Sequence, residues 1–454
     1  MDATRQCWGH RRRGRRGELG WIAGRCPGGP RCERFPPPAQ EFRMSQANIN
    51  QDRLWSDLMT MGCMGATPRG GCDRMSLTDA DRDGRTLFRL WCEQAGLGVT
   101  VDGMGNIFAR REGTDPSLPP VMTGSHLDTQ SPGGKFDGVL GVLAALEAVR
   151  AIDRAGIRTR RTIEVVNWTN EEGARFSPGL MGSAVFAGAL DLATAHTSMD
   201  RRGRRFGDEL ARIGYKGEAP MGGRPVDSYL ELHIEQGPEL EESGTTIAAV
   251  THSHFTGFAT IEILGENSHS QTMPMTRRRN ALVGAGRLIE VVERIAGMHG
   301  PEGKASPVVL DVWPNNAINI PHRALLSVMM VHPEESGIAS MREALGVALE
   351  TLAAESGLSF SIVAERRRQP LHFAPEMVAL IEDVAKERGH SVTRLRTLTG
   401  HDAFNMIGLC PTGLIFVPCR DGLSHSEFEY ASPEHCAAGA DVLMHALLRR
   451  ANRD

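Results

Sequence analysis

The feature that most constrains the fold is an alternation of strand-like and helix-like segments in which the strand-like segments end in polar residues. PPVMTGSHLDT at 119–129 predicts a buried strand, and FDGVLGVLAALEAVRAI at 136–152 has apolar residues at helical spacing. TIEVVNWTNEEG at 162–173 and YLELHIEQG at 229–237 repeat the strand pattern. This alternation predicts an α/β layer, and in open α/β sheets ligands bind at the edge where such strands end.

The middle of the chain predicts a smaller α+β unit inserted in the first. Alternating segments near 259–266 and 324–333 are interleaved with helical stretches, and α/β character returns after about residue 363. We therefore predict a discontinuous catalytic domain at 44–246 plus 363–454, holding an inserted domain at 247–362. Residues 1–43 contain ten arginines and no periodicity, which predicts a disordered tail or an upstream start-site extension.

Composition excludes several function classes. The 454 residues are 41% apolar and 23% charged, and no run of about 18 apolar residues is present to span a bilayer. The net charge of −4 provides no field favouring nucleic acid or anionic lipid, so neither is expected as a partner. Nine cysteines without a CxxC pair favour reduced thiols and a cytoplasmic location.

Histidines and carboxylates cluster at the predicted strand ends and in two loops: His126, Asp128, Asp137, Glu171, Glu172, His233, Glu235 and His425. Imidazoles mixed with carboxylates suit zinc, manganese or cobalt at a hydrolytic centre. Carboxylates held close together repel one another unless a cation neutralises them. Each residue alone is more often an ordinary polar side chain, and an EE pair is more often a solvated face, so the joint pattern carries the prediction of a metal site.

From Met44 to the C-terminus the chain resembles the di-metal family of N-carbamoyl-amino-acid hydrolases, allantoate amidohydrolases and β-ureidopropionases. The motifs are GSHLDT (124–129), GGKFDGVLGV (133–142), TNEEGARF (169–176), ELHIEQGPELE (231–241), NAIN (316–319), GHDA (400–403) and FVPCRDGLSHSEFEY (416–430). The resemblance implies a phosphorylase/hydrolase-like metallopeptidase catalytic domain of α/β class, with an inserted α+β dimerisation (lid) domain. It also implies a homodimer formed through the inserted domain.

The resemblance implies two divalent ions per chain that share one bridging carboxylate. His126 and His233 would bind one ion and Glu172 and His425 the other, with Asp137 bridging both. Glu171 is similar to the family's general base, which takes a proton from a water of lowered pKa.

Asp128 is similar to the carboxylate that orients the His126 imidazole, although a turn cap is its alternative interpretation.

The motifs also imply the substrate-binding residues. His233 stands where related peptidases carry a carboxylate, which favours ureido substrates, and Gln236 would hydrogen-bond the carbamoyl group. His269 and Asn319 match inserted-domain residues that stabilise the oxyanion. Gly400 and His401 match the family's substrate-side loop; ordinary loop histidines and a turn amide are the alternatives for His269, His401 and Asn319.

One departure concerns the substrate carboxylate. Val331 stands where the family has a carboxylate-binding Arg, and Met329 stands where an Asp is usual. Valine cannot form the two parallel hydrogen bonds of a guanidinium. Arg323 lies eight residues away, roughly 26 Å along a strand, which is too far for direct replacement, and Arg277, Arg278 and Arg279 are the other candidates. We therefore predict weak activity on ordinary N-carbamoyl-α-amino acids and better turnover of amides with a neutral far end.

The predicted function is hydrolysis of a C–N bond in an N-carbamoyl amino acid or similar small ureido compound, releasing ammonia and CO2. An allantoate amidohydrolase and a di-metal aminoacylase or dipeptidase are alternatives, although the latter should favour an acidic residue over His233. A non-catalytic binding protein is the remaining alternative, but such a protein would be expected to have lost metal or base residues.

Overall fold

Two main β-sheets organise residues 47–453, the part of the chain that the computed structural model describes. The prediction for residues 1–43 lies outside the described residues. The strands are β1 (Gly98–Val101), β2 (Ile107–Arg111), β3 (Val121–His126), β4 (Ile163–Trp168), β5 (Ser228–Ile234), β6 (Ile247–Ser253), β7 (Phe255–Leu264), β8 (Ser268–His269), β9 (Lys304–Trp313), β10 (Asn319–Ile320), β11 (Arg323–His332), β12 (Ser359–Arg368), β13 (Val392–Thr397) and β14 (Thr412–Val417).

The helices alternate with these strands along the chain. They are α1 (Gln51–Met61), α2 (Asp79–Gln94), α3 (Val139–Arg154), α4 (Met181–Phe186), α5 (Leu192–Thr197), α6 (Phe206–Arg212), α7 (Glu239–Ser243), α8 (Ala281–Met298), α9 (Glu335–Ser356), α10 (Pro375–Glu387), α11 (Ala403–Met406) and α12 (Pro433–Asn452). Short 3₁₀ turns occupy Met275–Arg277 and Arg420–Gly422. No helix within 47–453 is long and apolar enough to cross a membrane.

The larger sheet has eight strands in the order β1-β2-β4-β3-β5-β14-β6-β13. Its four central strands, β4, β3, β5 and β14, are parallel neighbours, and every residue in them is buried. Such nearly continuous apolar runs are typical of parallel strands covered on both faces. Helix α3 packs against β3 and β5 and also against α12, so it lies in the main hydrophobic core. The predicted α/β class is confirmed.

The smaller sheet is antiparallel, with the order β12-β7-β11-β9. Alternate residues of β11, Ala324, Leu326, Val328 and Met330, are buried in a second hydrophobic core that also contains residues of α8 and α9. The two helices therefore cover one face of this sheet, as the period-2 alternation requires.

The strand pairing corrects the limits expected for the inserted unit at 247 and 362. Strand β6 begins at Ile247 but pairs with β13 and β14 in the larger sheet. Strand β12 continues past 362 to Arg368 in the smaller sheet. The chain therefore passes from one sheet to the other at His254 and returns after Arg368, because hydrogen-bonded pairing continues to those points.

Candidate metal centre

The parallel strands bring the predicted ligands to one edge of the larger sheet. His126 is the last residue of β3, and its register partner in β4 is Trp168, so Glu171 and Glu172 follow at the same edge. His233 is the penultimate residue of β5, and β14 runs parallel to β5 before the loop that carries His425. This edge is the ligand-binding edge expected for an α/β sheet.

Asp137 lies at the centre of the cluster. One carboxylate oxygen, Oδ1, is 3.0 Å from His233 Nε2 and 3.6 Å from His126 Nε2. The other, Oδ2, is 3.2 Å from His425 Nε2, which is also 3.4 Å from Glu172 Oε2. Two groups that could each hold a metal ion result, His126–Asp137–His233 and Asp137–Glu172–His425, with Asp137 in both.

The two buried imidazoles are oriented for metal binding. Nδ1 of His126 is 2.9 Å from the Asp128 carbonyl oxygen, and Nδ1 of His233 is 2.9 Å from the Ile234 carbonyl oxygen. A carbonyl only accepts hydrogen bonds, so we assign the ring proton to Nδ1 in both histidines. The Nε2 atoms, without a ring proton, then lie near Asp137, and Nε2 of His233 accepts a hydrogen bond from the Gly138 backbone N–H at 3.1 Å. The donor set fits a divalent cation of the zinc, manganese or cobalt kind.

The two adjacent glutamates have different surroundings. The Glu172 carboxylate accepts hydrogen bonds from the Gln130 backbone N–H at 3.2 Å and from Gln130 Nε2 at 2.7 Å, which aims it at His425. Within residues 47–453 the Glu171 carboxylate has one described polar contact, His126 Nε2 at 3.3 Å. Glu172 is therefore held as a ligand would be, while Glu171 Oε1 has no described polar contact within residues 47–453.

The electrostatics also favour a cation. Burial raises the pKa of Glu171 well above its usual value and that of Glu172 to about 7. Burial acts in the same direction on Asp137, but hydrogen bonds and charge from His126 and His233 hold the pKa of that carboxyl well below its usual range. When several carboxylates share one buried site, their charged forms are disfavoured unless a positive charge lies nearby.

Asp128 contacts His126 differently from the prediction. Its carboxylate oxygen Oδ1 is 3.9 Å from His126 Nδ1, beyond hydrogen-bonding distance, and the backbone carbonyl makes the contact instead. The carboxylate accepts hydrogen bonds from the backbone N–H groups of Glu171 and Glu172, at 3.3 Å each. Asp128 thereby fixes both the imidazole and the glutamate pair.

Gln236 contacts the bridging carboxylate. Its Nε2 donates to Asp137 Oδ2 at 2.8 Å and to Ser424 Oγ at 3.0 Å. Its Oε1 accepts from the Thr399 hydroxyl at 2.7 Å. Both ends of the amide predicted to bind a carbamoyl group are therefore engaged by protein groups.

His401 is buried behind a ligand. Its side chain has 1% exposure, and its ring lies 4.6 Å from that of His233, edge to face. Nε2 is 3.0 Å from the hydroxyls of Thr397 and Thr399. Burial lowers the pKa of His401 well below its usual value. A neutral His401 therefore supports the His233 ring, while neighbouring Gly400 lies near Arg368 and Leu180.

The structure pairs His269 with Asn319 but does not bring them into the cluster. The two residues are register partners in the short ladder of β8 and β10. Asn319 Nδ2 donates to Asn267 Oδ1 at 2.9 Å, and His269 Nδ1 accepts from the Gln271 backbone N–H at 3.1 Å. Among residues 47–453, no described hydrogen bond or ion pair joins either one to the metal centre.

Glu429 is a functional residue that the sequence analysis missed. It is 5% exposed, and its Oε1 accepts from the backbone N–H groups of Phe136 and Asp137 at 2.9 and 3.0 Å. Ser424 Oγ donates to the other oxygen at 3.1 Å. A Cβ at Gly134 would lie 2.0 Å from this carboxylate, so the loop needs glycine there. The signal was the second glutamate of SEFEY, which contacts the GGKFDG loop.

The fold and the donor set are those of a hydrolase with a candidate metal centre, and the chain belongs to peptidase family M20/M25/M40, whose model matches residues 122–449. It hydrolyses C–N bonds other than peptide bonds.

Three relatives illustrate the likeness. The chain is 42% identical to an N-carbamoyl-L-amino-acid amidohydrolase from Rhizobium meliloti, over 89% of this chain and 97% of the relative. It is 30% identical to a ureidoglycolate hydrolase from Oryza sativa subsp. japonica, over 88% and 85%. A crystal structure of an amidase of the hydantoinase/carbamoylase family from Burkholderia vietnamiensis matches with a TM-score of 0.85 and 42% identity, covering 90% of this chain and 98% of that one.

Proposed function

We propose that the protein hydrolyses the ureido C–N bonds of an N-carbamoyl amino acid, yielding the free amino acid, ammonia and CO2. The observation that carries the proposal is the position of Asp137 between two ligand groups, with the Glu171 carboxylate beside them, 3.3 Å from His126 Nε2. The relative at 42% identity that is named for this substrate class supports it.

The site residues divide into ligands and a base. His126 and His233 would hold one divalent ion and Glu172 and His425 a second, with Asp137 shared. Two such ions, of zinc, manganese or cobalt, supply Lewis acidity and a water of lowered pKa when bound.

Glu171 accepts the proton of the attacking water at its carboxylate and returns it to the leaving nitrogen. Its buried position, which raises its pKa, favours the uptake of that proton.

The proposal also assigns the residues that contact the substrate. Gln236 binds the carbamoyl group by exchanging one of its protein contacts for the substrate. His269 and Asn319, side by side in β8 and β10, supply donors for the oxyanion, and Gly400 and His401 belong to the loop on the substrate side. Another ureido acid, such as allantoate or ureidoglycolate, is a second candidate substrate, which the relative at 30% identity supports.

We also propose a homodimer formed through the smaller sheet and its helices. Strand β9 is an edge strand of that sheet and exposes Val308, Leu310 and Trp313 at 52%, 37% and 38%. An exposed apolar edge strand favours pairing with another chain.

The test compares two glutamate variants on four substrate classes. Glu171→Gln is expected to keep two metal ions per chain and lose on the order of 10²–10⁴ in kcat, as expected of a general acid–base group. Glu172→Gln is expected to lose metal as well, because a ligand is removed. Glu266→Gln, at a side chain 64% exposed in the smaller sheet's unit, serves as the control.

The readouts are metal content and ammonia release from N-carbamoyl-α-amino acids, N-carbamoyl-β-alanine and allantoate, with amine release from N-acyl amino acids. Turnover only of the N-acyl compounds would contradict the substrate assignment. Full activity of Glu171→Gln would contradict the mechanism.

A further inference from the structure

Thr256 lies between Val331, where the family has a carboxylate-binding arginine, and an arginine of the neighbouring strand. It is the register partner of Val331 in β11 on one side and of Arg368 in β12 on the other. Directly opposed residues of neighbouring antiparallel strands point to the same face of a sheet. Val331, Thr256 and Arg368 therefore form a row of side chains on one face. Met330, next to Val331, points into the core under α8 and α9, so the row lies on the face away from the helices.

A β-bulge brings Arg368 to that face. Ile362 pairs with Ile261 on the helix-covered face, but Ala364 pairs with Thr260, which leaves Val363 as an extra residue. An inserted residue exchanges the two faces for the rest of the strand. After the bulge, the even-numbered residues of β12 point away from the helices, and Arg368 is one of them.

The Arg368 guanidinium lies beside the loop that supports the metal centre. Its Cζ is 5.0 Å from the centre of the Phe404 ring. Its Nη1 lies 3.9 Å from the position that a Cβ on Gly400 would occupy. Gly400 is followed by His401, whose ring packs on His233. The cation is thus at the junction of the row and the candidate metal centre.

Arg368 has no anionic partner within residues 47–453. Its Nε is buried without a hydrogen-bond partner, and its one described hydrogen bond is from Nη2 to the Thr256 hydroxyl at 3.4 Å. A desolvated guanidinium with open donors is costly unless an anion satisfies it. The geometry therefore leaves a place for an anion that the protein itself does not fill.

Three of the other arginines considered for this role are engaged elsewhere, and the fourth, Arg277, is exposed to solvent. Arg323 Nε is 2.7 Å from Glu262 Oε1, and Arg279 pairs with Glu266 at 3.2 Å. Arg278 donates to two backbone carbonyl oxygens. These contacts distinguish Arg368 from them.

We propose that Arg368 binds the carboxylate of the substrate, in place of an arginine at position 331. The inference rests on the proposed function and makes it more specific: the substrate is an anionic ureido acid. It replaces the expectation of a neutral far end, which did not consider Arg368. A guanidinium binds a carboxylate through two parallel hydrogen bonds, and Thr256 lies beside it in the row.

The experiment compares an acid with its uncharged analogue. Arg368→Gln and Arg368→Lys are assayed on an N-carbamoyl amino acid and on the corresponding carboxamide. Arg368→Gln should raise KM for the acid by about 30-fold or more, the loss expected when one partner of a buried charge pair is removed, and leave the carboxamide unchanged. Arg368→Lys should retain part of the preference for the acid, because lysine keeps the positive charge but cannot form the two parallel hydrogen bonds of a guanidinium.

Arg366→Gln is the matched control. Arg366 lies on the same face of β12, two residues away, and stacks on Phe258 with its Cζ 4.8 Å from the ring centre. It should leave both KM values unchanged. Equal changes for acid and carboxamide in Arg368→Gln, or no change for either, would overturn the assignment of Arg368.

Calorimetric binding of both ligands to metal-loaded Glu171→Gln protein separates this inference from the proposed function. If the wild type turns over no ureido compound, the proposed function fails. The Arg368 assignment still stands if the acid binds and Arg368→Gln removes that binding, and it falls if the acid binds equally well without Arg368.

Discussion

Replacement of Glu429 tests how the bridging carboxylate is positioned. Glu429→Ala removes the acceptor for the backbone N–H groups of Phe136 and Asp137 and for the Ser424 hydroxyl. Glu429 is buried, so water does not readily take its place. Each buried N–H left without an acceptor costs about 1–3 kcal/mol, so two cost about 2–6 kcal/mol. Loss of a group that orients a metal ligand typically lowers metal affinity about 10- to 100-fold.

Glu429→Gln is the informative comparison. One oxygen, Oε1, accepts both backbone N–H groups, and the amide oxygen of glutamine can do the same. The amide NH2 would then donate to Ser424 Oγ, whose hydroxyl still reaches Asp137 Oδ2 at 3.0 Å. We expect Glu429→Gln to remain within about 1 kcal/mol of the wild type, since every hydrogen bond has a replacement.

The assay is urea unfolding of metal-free protein together with a competition measurement of metal affinity. Glu266→Ala, at an exposed glutamate, controls for the loss of a carboxylate. We expect a large loss of stability and metal affinity in Glu429→Ala and a small loss in Glu429→Gln. Wild-type stability and metal affinity in Glu429→Ala would refute it, because the two N–H groups would then not need this acceptor.

Two further predictions concern the metal and its loop. Chelation should abolish turnover and lower the Tm measured by scanning calorimetry, and adding Mn²⁺, Co²⁺ or Zn²⁺ should restore both. A metal ion at a concentration of 100 times its Kd adds about 2.7 kcal/mol to the free energy of unfolding. An unchanged Tm with full activity would contradict the metal assignment. Gly138→Ala should lose metal and activity, because its Cβ would lie 2.3 Å from the His126 ring at a φ of 68°; Gly286→Ala, which meets nothing within 4 Å, should retain both.

The sequence predicted the edge of the sheet where the candidate site lies because that information is local. A strand of period 2 or a continuous apolar run, followed by polar residues, marks where the strand ends. His126, Glu171 and His233 each follow this rule, and the parallel pairing of β4, β3 and β5 brings them together. The α/β class and the family were therefore accessible without coordinates.

The contacts around the ligands were not accessible in the same way. Glu429 acts on Asp137 across 292 positions in the chain, and no local period connects the two. Gln236 was predicted to hydrogen-bond a carbamoyl group, but the Thr399 hydroxyl that donates to it comes from a loop 163 positions away. Such contacts depend on where the loops after β13 and β14 lie relative to β5, which periodicity does not encode.

The row of Val331, Thr256 and Arg368 depends on the register of β12. The distance along β11 excludes Arg323 as a replacement, and the ion pair of Arg323 with Glu262 agrees with that exclusion. On the neighbouring strands, by contrast, only two spacings of about 4.8 Å separate position 331 from position 368. If Val363 paired with Thr260 and did not form a bulge, the register of β12 would shift by one residue, and Arg368 would point to the opposite face. Under our proposal, substrate charge is therefore decided by strand register across the smaller sheet. Deleting Val363 removes only the unpaired residue and leaves Arg368 opposite Thr256, so the KM preference for the acid over the carboxamide should be retained, whereas Arg368→Gln should abolish it.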